Sequence, residues 1–210
     1  MCPVDPPLLR ILIATTNRGK QQEIVSILSR VRIGLAVLDE FPAVPSPEET
    51  GATFEENARL KARYYSRATG LPAVAEDSGL MIDWLDDEPG IYSARYGGTA
   101  AADYSSKFAL IYQKLRERRL DTSPARFICA LTVASGDRIV FETQGIVEGT
   151  IAPAPRGTGG FGYDPIFYFP PYARTLAEVS GEEKDAVSHR GRAFRKLRQY
   201  LEGEGLTRGA

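Results

Sequence analysis

Residues 15–20 read Thr15-Thr16-Asn17-Arg18-Gly19-Lys20 and stand between the apolar run LLRILIAT and a segment with Ile24, Ile27 and Leu28 at helical spacing. A loop that opens a helix offers free backbone N–H groups and the positive end of the helix dipole, a setting for an anion. Thr15, Thr16, Asn17 and Lys20 add side-chain donors. This is not a Walker A loop, because its first glycine is missing and Gln21 stands where Ser or Thr would hold magnesium. The same residues equally suit a polar turn with a helix cap.

Acids form a second group. Glu48 and Glu49 fall in a proline-rich loop, and Glu76 and Asp77 follow the apolar LPAVA. Such oxygen-rich surroundings suit a hard Mg²⁺ that also holds phosphates, although pairs of loop acids are commonly just solvated. The second pair is expected at the carboxyl end of a strand, where open α/β sheets tend to bind ligands. Asn57 and Lys61 are four apart on a helix, so both can reach one phosphate from the same face. The stretch PRGTGGFGYDP holds four glycines, which let backbone approach a ligand, and Phe161, which can stack on a base. A flexible loop with a core aromatic explains it as well. The one histidine, His189, precedes Arg190, with Lys184 five residues before it. One histidine cannot build a multi-histidine zinc site, and no GxSxG elbow exists for a serine triad.

The elements that must position these groups are legible from periodicity. A strand over 8–15, a loop and a helix open the chain, and 41–51 is loop. Thr53 and Glu56 form a capping box for a helix ending near Gly70. LPAVA and LMIDWL read as two short strands. Tyr104, Phe108, Ile111, Tyr112 and Leu115 mark an amphipathic helix over 103–119. ARFICALTVAS and RIVFET form a hairpin about Gly136-Asp137, and GIVEGTIA adds a strand. Ser180 and Glu183 make a second capping box before a helical C-terminal region. Helices alternate with strands early and strands cluster late, so the fold class is α/β with a mixed central sheet and a cleft.

Composition sets the bounds. At 210 residues, 43% hydrophobic and 25% charged, the chain reads as one globular domain, with loose tails at 1–7 and 203–210. No apolar run approaches the roughly 18 residues of a membrane span, and the opening MCPVDPPLLR lacks the plan of a secretory signal. Two cysteines, Cys2 and Cys129, give neither a disulfide framework nor a cysteine zinc site, so a cytoplasmic setting is expected. The formal net charge of −1 provides no overall field for nucleic acid or anionic lipid.

Taken in order, TTNRGK, EETGATFEENARLKAR, LPAVAEDSGL, PGIYSARYGG, GTGGFGYDPIF and EEKDAVSHRG closely resemble the Ham1/RdgB family of inosine triphosphate pyrophosphatases, also called dITP/XTP pyrophosphatases. The resemblance covers nearly the whole chain. It implies two lobes with a triphosphate cleft between them, a homodimer, and Mg²⁺-dependent cleavage of ITP, dITP and XTP to the monophosphate and pyrophosphate. It implies that residues Thr15 to Lys20, Arg18 and Gly19 included, embrace the phosphates with help from Lys61. Asp77 is then the catalytic acid with a magnesium role, and Glu48 and Glu49 match the acidic pair. Ser78, Phe161, Gly162, Tyr163, Asp164, Lys184, His189 and Arg190 would surround the nucleotide. Glu76 departs from the second aspartate of many bacterial members, which leaves its part in metal binding open.

Phosphoryl transfer asks mainly for positioning and charge stabilisation, so Lys20, Lys61, Lys184 and Mg²⁺ suit an in-line water attack at the α-phosphorus. Asp77 would orient or deprotonate that water. Hypoxanthine and xanthine present an acceptor at O6 where adenine presents a donor, so His189 and Arg190 as donors would leave adenine unpaired. Rejecting GTP needs a further group that the sequence does not show. The related Maf-type pyrophosphatases are a rival that SHR and FGYD argue against. An RNA-binding module using His189 to Arg198 is another, although a solvated face with one buried stripe accounts for those cations.

Overall fold

The protein is described from a computed structural model that covers residues 9–100 and 103–203. The tails expected at 1–7 and 204–210, and Cys2 with them, lie outside the described residues. Gly203, assigned above to the second tail, ends the last helix.

Seven strands form one mixed sheet in the order β2-β1-β3-β4-β5-β6-β7. They are β1 (Arg10–Ile13), β2 (Gly34–Val37), β3 (Ala73–Ile82), β4 (Pro124–Ser135), β5 (Arg138–Ile151), β6 (Phe167–Phe169) and β7 (Arg174–Thr175). β1 runs parallel to β2 and β3, and every later pairing is antiparallel. The helices are α1 (Arg18–Leu28), α2 (Phe54–Thr69), α3 (Tyr104–Glu117), α4 (Gly181–Val187) and α5 (His189–Gly203).

Alternation along β3 assigns the faces. Val74 packs with Ile24 of α1 and Phe194 and Leu197 of α5. Its neighbours Ala73 and Ala75 pack with Ala62 and Tyr65 of α2. Farther along, Leu80 and Ile82 join Ile111 and Leu115 of α3 and Phe167 of β6. One face of the sheet thus carries α1 and α5 at one end and α3 at the other, while α2 covers the opposite face.

Three local expectations need correction. LPAVA and LMIDWL are one strand: β4 pairs with every residue of β3 from Ala73 to Ile82, so Glu76 and Asp77 are mid-strand and not at its end. β1, however, pairs only as far as Val74, so the acids lie just past the end of that parallel neighbour. RIVFET and GIVEGTIA likewise merge into β5, which pairs with β4 along its length with one irregularity at Val133/Ala134. At Thr53 the box is half formed: the Thr53 hydroxyl accepts from Glu56 N at 3.1 Å, but the Glu56 carboxylate accepts from Ala52 N instead. The box at Ser180 is complete. The C-terminal helical region breaks at extended Ser188, whose hydroxyl accepts from Gly191 N and caps α5.

Candidate active site

The site is built around β3, whose alternation sends its two acids to opposite faces. Asp77 faces α2, where Asn57 donates to its Oδ2 at 3.2 Å and Lys61 to its Oδ1 at 3.0 Å. Lys61 also donates to Glu49 at 2.6 Å. Asn57 and Lys61 share a helix face as the spacing requires, converging here on a carboxylate. Burial raises the Asp77 pKa, and Glu49 adds to this while Lys61 opposes it. Burial also works against the charge on Lys61, but Asp77 and Glu49 outweigh it and hold the proton on the ammonium.

Glu76 faces α1 and α5. It pairs with Lys20 at 2.8 Å and with Arg190 at 3.2 Å, and it accepts from the Cys129 thiol at 3.3 Å. Burial disfavours its charge, but Arg190 and Lys20 prevail and hold it well below the usual carboxylate range. Arg190, 2% exposed, also donates to Glu23 at 2.6 Å and to Ser78 at 3.2 Å. Glu23 reaches Lys184 at 2.7 Å, and Lys184 meets Asp164 at 2.5 Å. Burial lowers the tendency of Lys184 to hold its proton, and Asp164 and Glu23 reverse that.

A cavity of about 220 Å³ opens on this second face. It is lined by Asn17, Lys20, Ser78, Phe161, Gly162, Tyr163, Asp164, Lys184, His189 and Arg190, all singled out from sequence. Its volume lies below the roughly 300–1,000 Å³ of pockets for drug-sized ligands, so it fits one end of a nucleotide. Phe161 packs on Gly19, where a Cβ would come within 2.8 Å of its ring, and Lys184 sits 4.4 Å from the ring centre. The imidazole of His189 stacks on Phe127 at 4.8 Å and 15°. Burial, then Arg190, hold its pKa well below the ordinary value, so the ring is neutral. Its Nδ1 is buried without a hydrogen-bond partner. An unpaired buried polar atom costs about 1–3 kcal/mol, and a ligand group in the cavity would remove that cost.

At the first loop, Asn17 caps α1 by accepting from Lys20 N at 3.0 Å, and no acid occupies the first turn. The helix dipole there is left for an anion. Thr15, Thr16 and Arg18 stand outside the cavity lining, with Arg18 exposed and 3.8 Å from Asp39. Glu48 is exposed. The four acids considered for metal therefore do not form one group, and no cluster of three or more metal-capable side chains exists among the described residues. Glu49 and Asp77, joined through Lys61, fit magnesium bound by one or two carboxylates with phosphates supplying further oxygens. Burial raises the Asp77 pKa even with Lys61 beside it, and Glu49 adds to the rise, so a further cation between the two carboxylates would favour their ionised forms. Glu76 is already committed to Lys20 and Arg190.

Sequence reasoning missed Glu23, Phe127, Tyr104 and Ser93. Glu23 was accessible, since it lies three residues after Lys20 on the same helix face. Phe127 carried no signal, because an aromatic in an apolar strand reads as core. Across both faces, Glu23, Glu49, Glu76, Asp77 and Asp164 are balanced against Lys20, Lys61, Lys184 and Arg190, five carboxylates to four cations.

The Ham1 family model matches residues 11–200. A dITP/XTP pyrophosphatase of Geobacter sulfurreducens is 44% identical over 95% of this chain and 100% of its own length. A protein of that name from Thermus thermophilus is 45% identical over 93% of each chain. A HAM1 protein from Coxiella burnetii superposes with a TM-score of 0.85 at 40% identity, covering 93% of this chain and 99% of its own. With nearly its whole length matched in sequence and in fold, the chain belongs to the Ham1 family.

Proposed function

We propose that this protein is a nucleoside triphosphate pyrophosphatase that hydrolyses ITP, dITP and XTP to the monophosphate and pyrophosphate with Mg²⁺. The observation that carries this reading is the buried, neutral and unpartnered Nδ1 of His189 in a cavity bordered by Lys20 and Lys184. Such an atom is suited to a purine edge, and the lysines to its phosphates. The names of the relatives support the substrate class.

The base end enters the cavity, where His189 in its Nδ1–H tautomer donates to O6; adenine presents a donor at that position and leaves the contact unmade. Tyr163 and Tyr104 wall the cavity, with Tyr163 fixed by its bond to Ser93 O at 2.8 Å. Lys20, Lys184 and the N-terminus of α1 hold phosphate oxygens. Asp77, its proton affinity raised by burial, orients the attacking water and accepts its proton. Asn57 and Lys61 hold that carboxylate in place. Mg²⁺ held by Asp77 and Glu49 would neutralise charge on the phosphates. In this reading the active form is a homodimer, as the family resemblance implies, and it works in the cytoplasm, as the two cysteines lead us to expect.

The test is incubation with ITP, dITP, XTP, GTP and ATP in Mg²⁺, followed by separation of products. IMP and pyrophosphate from ITP, with ATP and GTP turned over poorly, is the expected result. IDP and orthophosphate as the main products, or equal turnover of ATP, would contradict it. The RNA-binding alternative gains nothing from α5, whose Ala193, Phe194 and Leu197 form the buried stripe. Its Arg192, Arg195 and Lys196 donate to backbone carbonyls.

A further inference from the structure

We infer that Arg95 is a further substrate-binding residue, one that grips the β- and γ-phosphates and then the departing pyrophosphate. This rests on the proposed function and concerns PGIYSARYGG, a segment in which only Ser93 has so far been given a role.

The segment is firmly placed. Ser93 Oγ accepts from Leu80 N at 3.0 Å and donates to Gly90 O at 2.6 Å, while Ser93 O accepts from Tyr163. Gly79 of β3 has no room for a side chain because a Cβ would lie 2.4 Å from Ser93 Oγ. Ser93 and Ala94 line the cavity, so the next residue emerges at its edge. Arg95 is half-exposed and stacks 5.1 Å over the ring of Tyr92, itself 55% exposed. Its ion pair, at 3.9 Å, is with Glu49, the carboxylate that Lys61 holds at 2.6 Å. The guanidinium therefore stands one side chain, Glu49, from Lys61 and two from Asp77, beside the carboxylates proposed to hold Mg²⁺.

Charge supplies the reason for such a residue. Five carboxylates meet four closely paired cations, and Arg95, at 3.9 Å from Glu49, brings the site only to formal neutrality before a triphosphate arrives. A polyanion needs positive charge that is not already committed at close range. Lys20, Lys61, Lys184 and Arg190 each stand within 3.2 Å of a carboxylate, so Lys20 and Lys184 divide their charge between that partner and a phosphate. Arg95 has a single long pair and solvent around it, and its planar fork suits phosphate oxygens. When Glu49 turns to another cation, Arg95 is left to the phosphates.

The test compares the parent with Arg95→Gln and Arg95→Lys by titration calorimetry with magnesium pyrophosphate and by steady-state kinetics on ITP. Arg95→Gln should weaken pyrophosphate binding and raise the KM for ITP about ten-fold or more, with a smaller change in kcat and the same ITP-to-ATP preference. Arg95→Lys should recover part of the loss. Pyrophosphate affinity of Arg95→Gln within two-fold of the parent, or a parent that binds no magnesium pyrophosphate, would overturn the inference. If the parent binds pyrophosphate but hydrolyses no nucleotide, the proposed function fails while the calorimetry still decides Arg95. Thermal melting controls for folding, and the exposed side chain predicts unchanged melting.

Discussion

Asp77 and His189 carry the two most exposed claims at the level of single residues. Because burial raises the Asp77 pKa, the folded state binds that proton more tightly than the unfolded chain. Its contribution to stability is present at acid pH and is lost as pH rises through the folded value, so the ionised group is a liability at neutrality. Asp77→Asn should therefore abolish nearly all turnover without lowering the melting temperature, as activity assays and calorimetry on one preparation would show. A variant with unchanged activity would remove Asp77 from the chemistry. His189→Ala should lower the ITP-to-ATP ratio of kcat/KM about two- to twelve-fold, the worth of one neutral hydrogen bond of 0.5–1.5 kcal/mol. An unchanged ratio would mean the ring does not read the base. Arg190, a donor to O6 in the reading from sequence, has most of its N–H groups on Glu23, Glu76 and Ser78. Arg190→Ala takes one cation from buried Glu76 and one from half-buried Glu23, which keep Lys20 and Lys184, and should cost about 1.5–3 kcal/mol of stability, read by denaturant unfolding. Residue types were legible in the sequence, but their commitments to one another were not, because Glu23 and Arg190 are 167 positions apart.

Secondary-structure elements were legible where local chemistry ends them. Asn17, Ser180 and Gly70 sit at helix boundaries as their types require. β3 was split in two because charged residues inside a strand oppose the apolar pattern; only pairing with β4, distant in sequence, makes Glu76 and Asp77 mid-strand. A close approach of similar origin fixes α5. A Cβ on Gly145 of β5 would lie 2.0 Å from His189 O and 2.7 Å from Ala193 N, so this glycine allows the helix start, and with it His189 and Arg190, to sit against the sheet. Gly145→Ala should cost about 1–3 kcal/mol through overpacking. It should also lower activity on ITP by displacing α5. Calorimetry and kinetics on the variant would check both, and wild-type values would show that the backbone gives way freely.

At the scale of the molecule, one sheet changes from parallel to antiparallel pairing at β3, and both acid–cation clusters form there. Neither the order of strands nor this convergence can be read from periodicity; the family resemblance supplied the expectation of a nucleotide cleft. The single histidine gives the whole chain a pH signature. Its folded pKa is depressed, so the unfolded chain takes up a proton first as pH falls below about 6.5, and stability declines from there. His189→Gln should lack that part of the decline between about pH 6.5 and 5, as melting temperatures across the range would reveal. The central claim is water attack on the α-phosphorus with pyrophosphate leaving, and hydrolysis of ITP in ¹⁸O-enriched water followed by mass spectrometry tests it most directly. The account predicts one ¹⁸O in IMP and none in pyrophosphate; label in pyrophosphate with unlabelled IMP would contradict it.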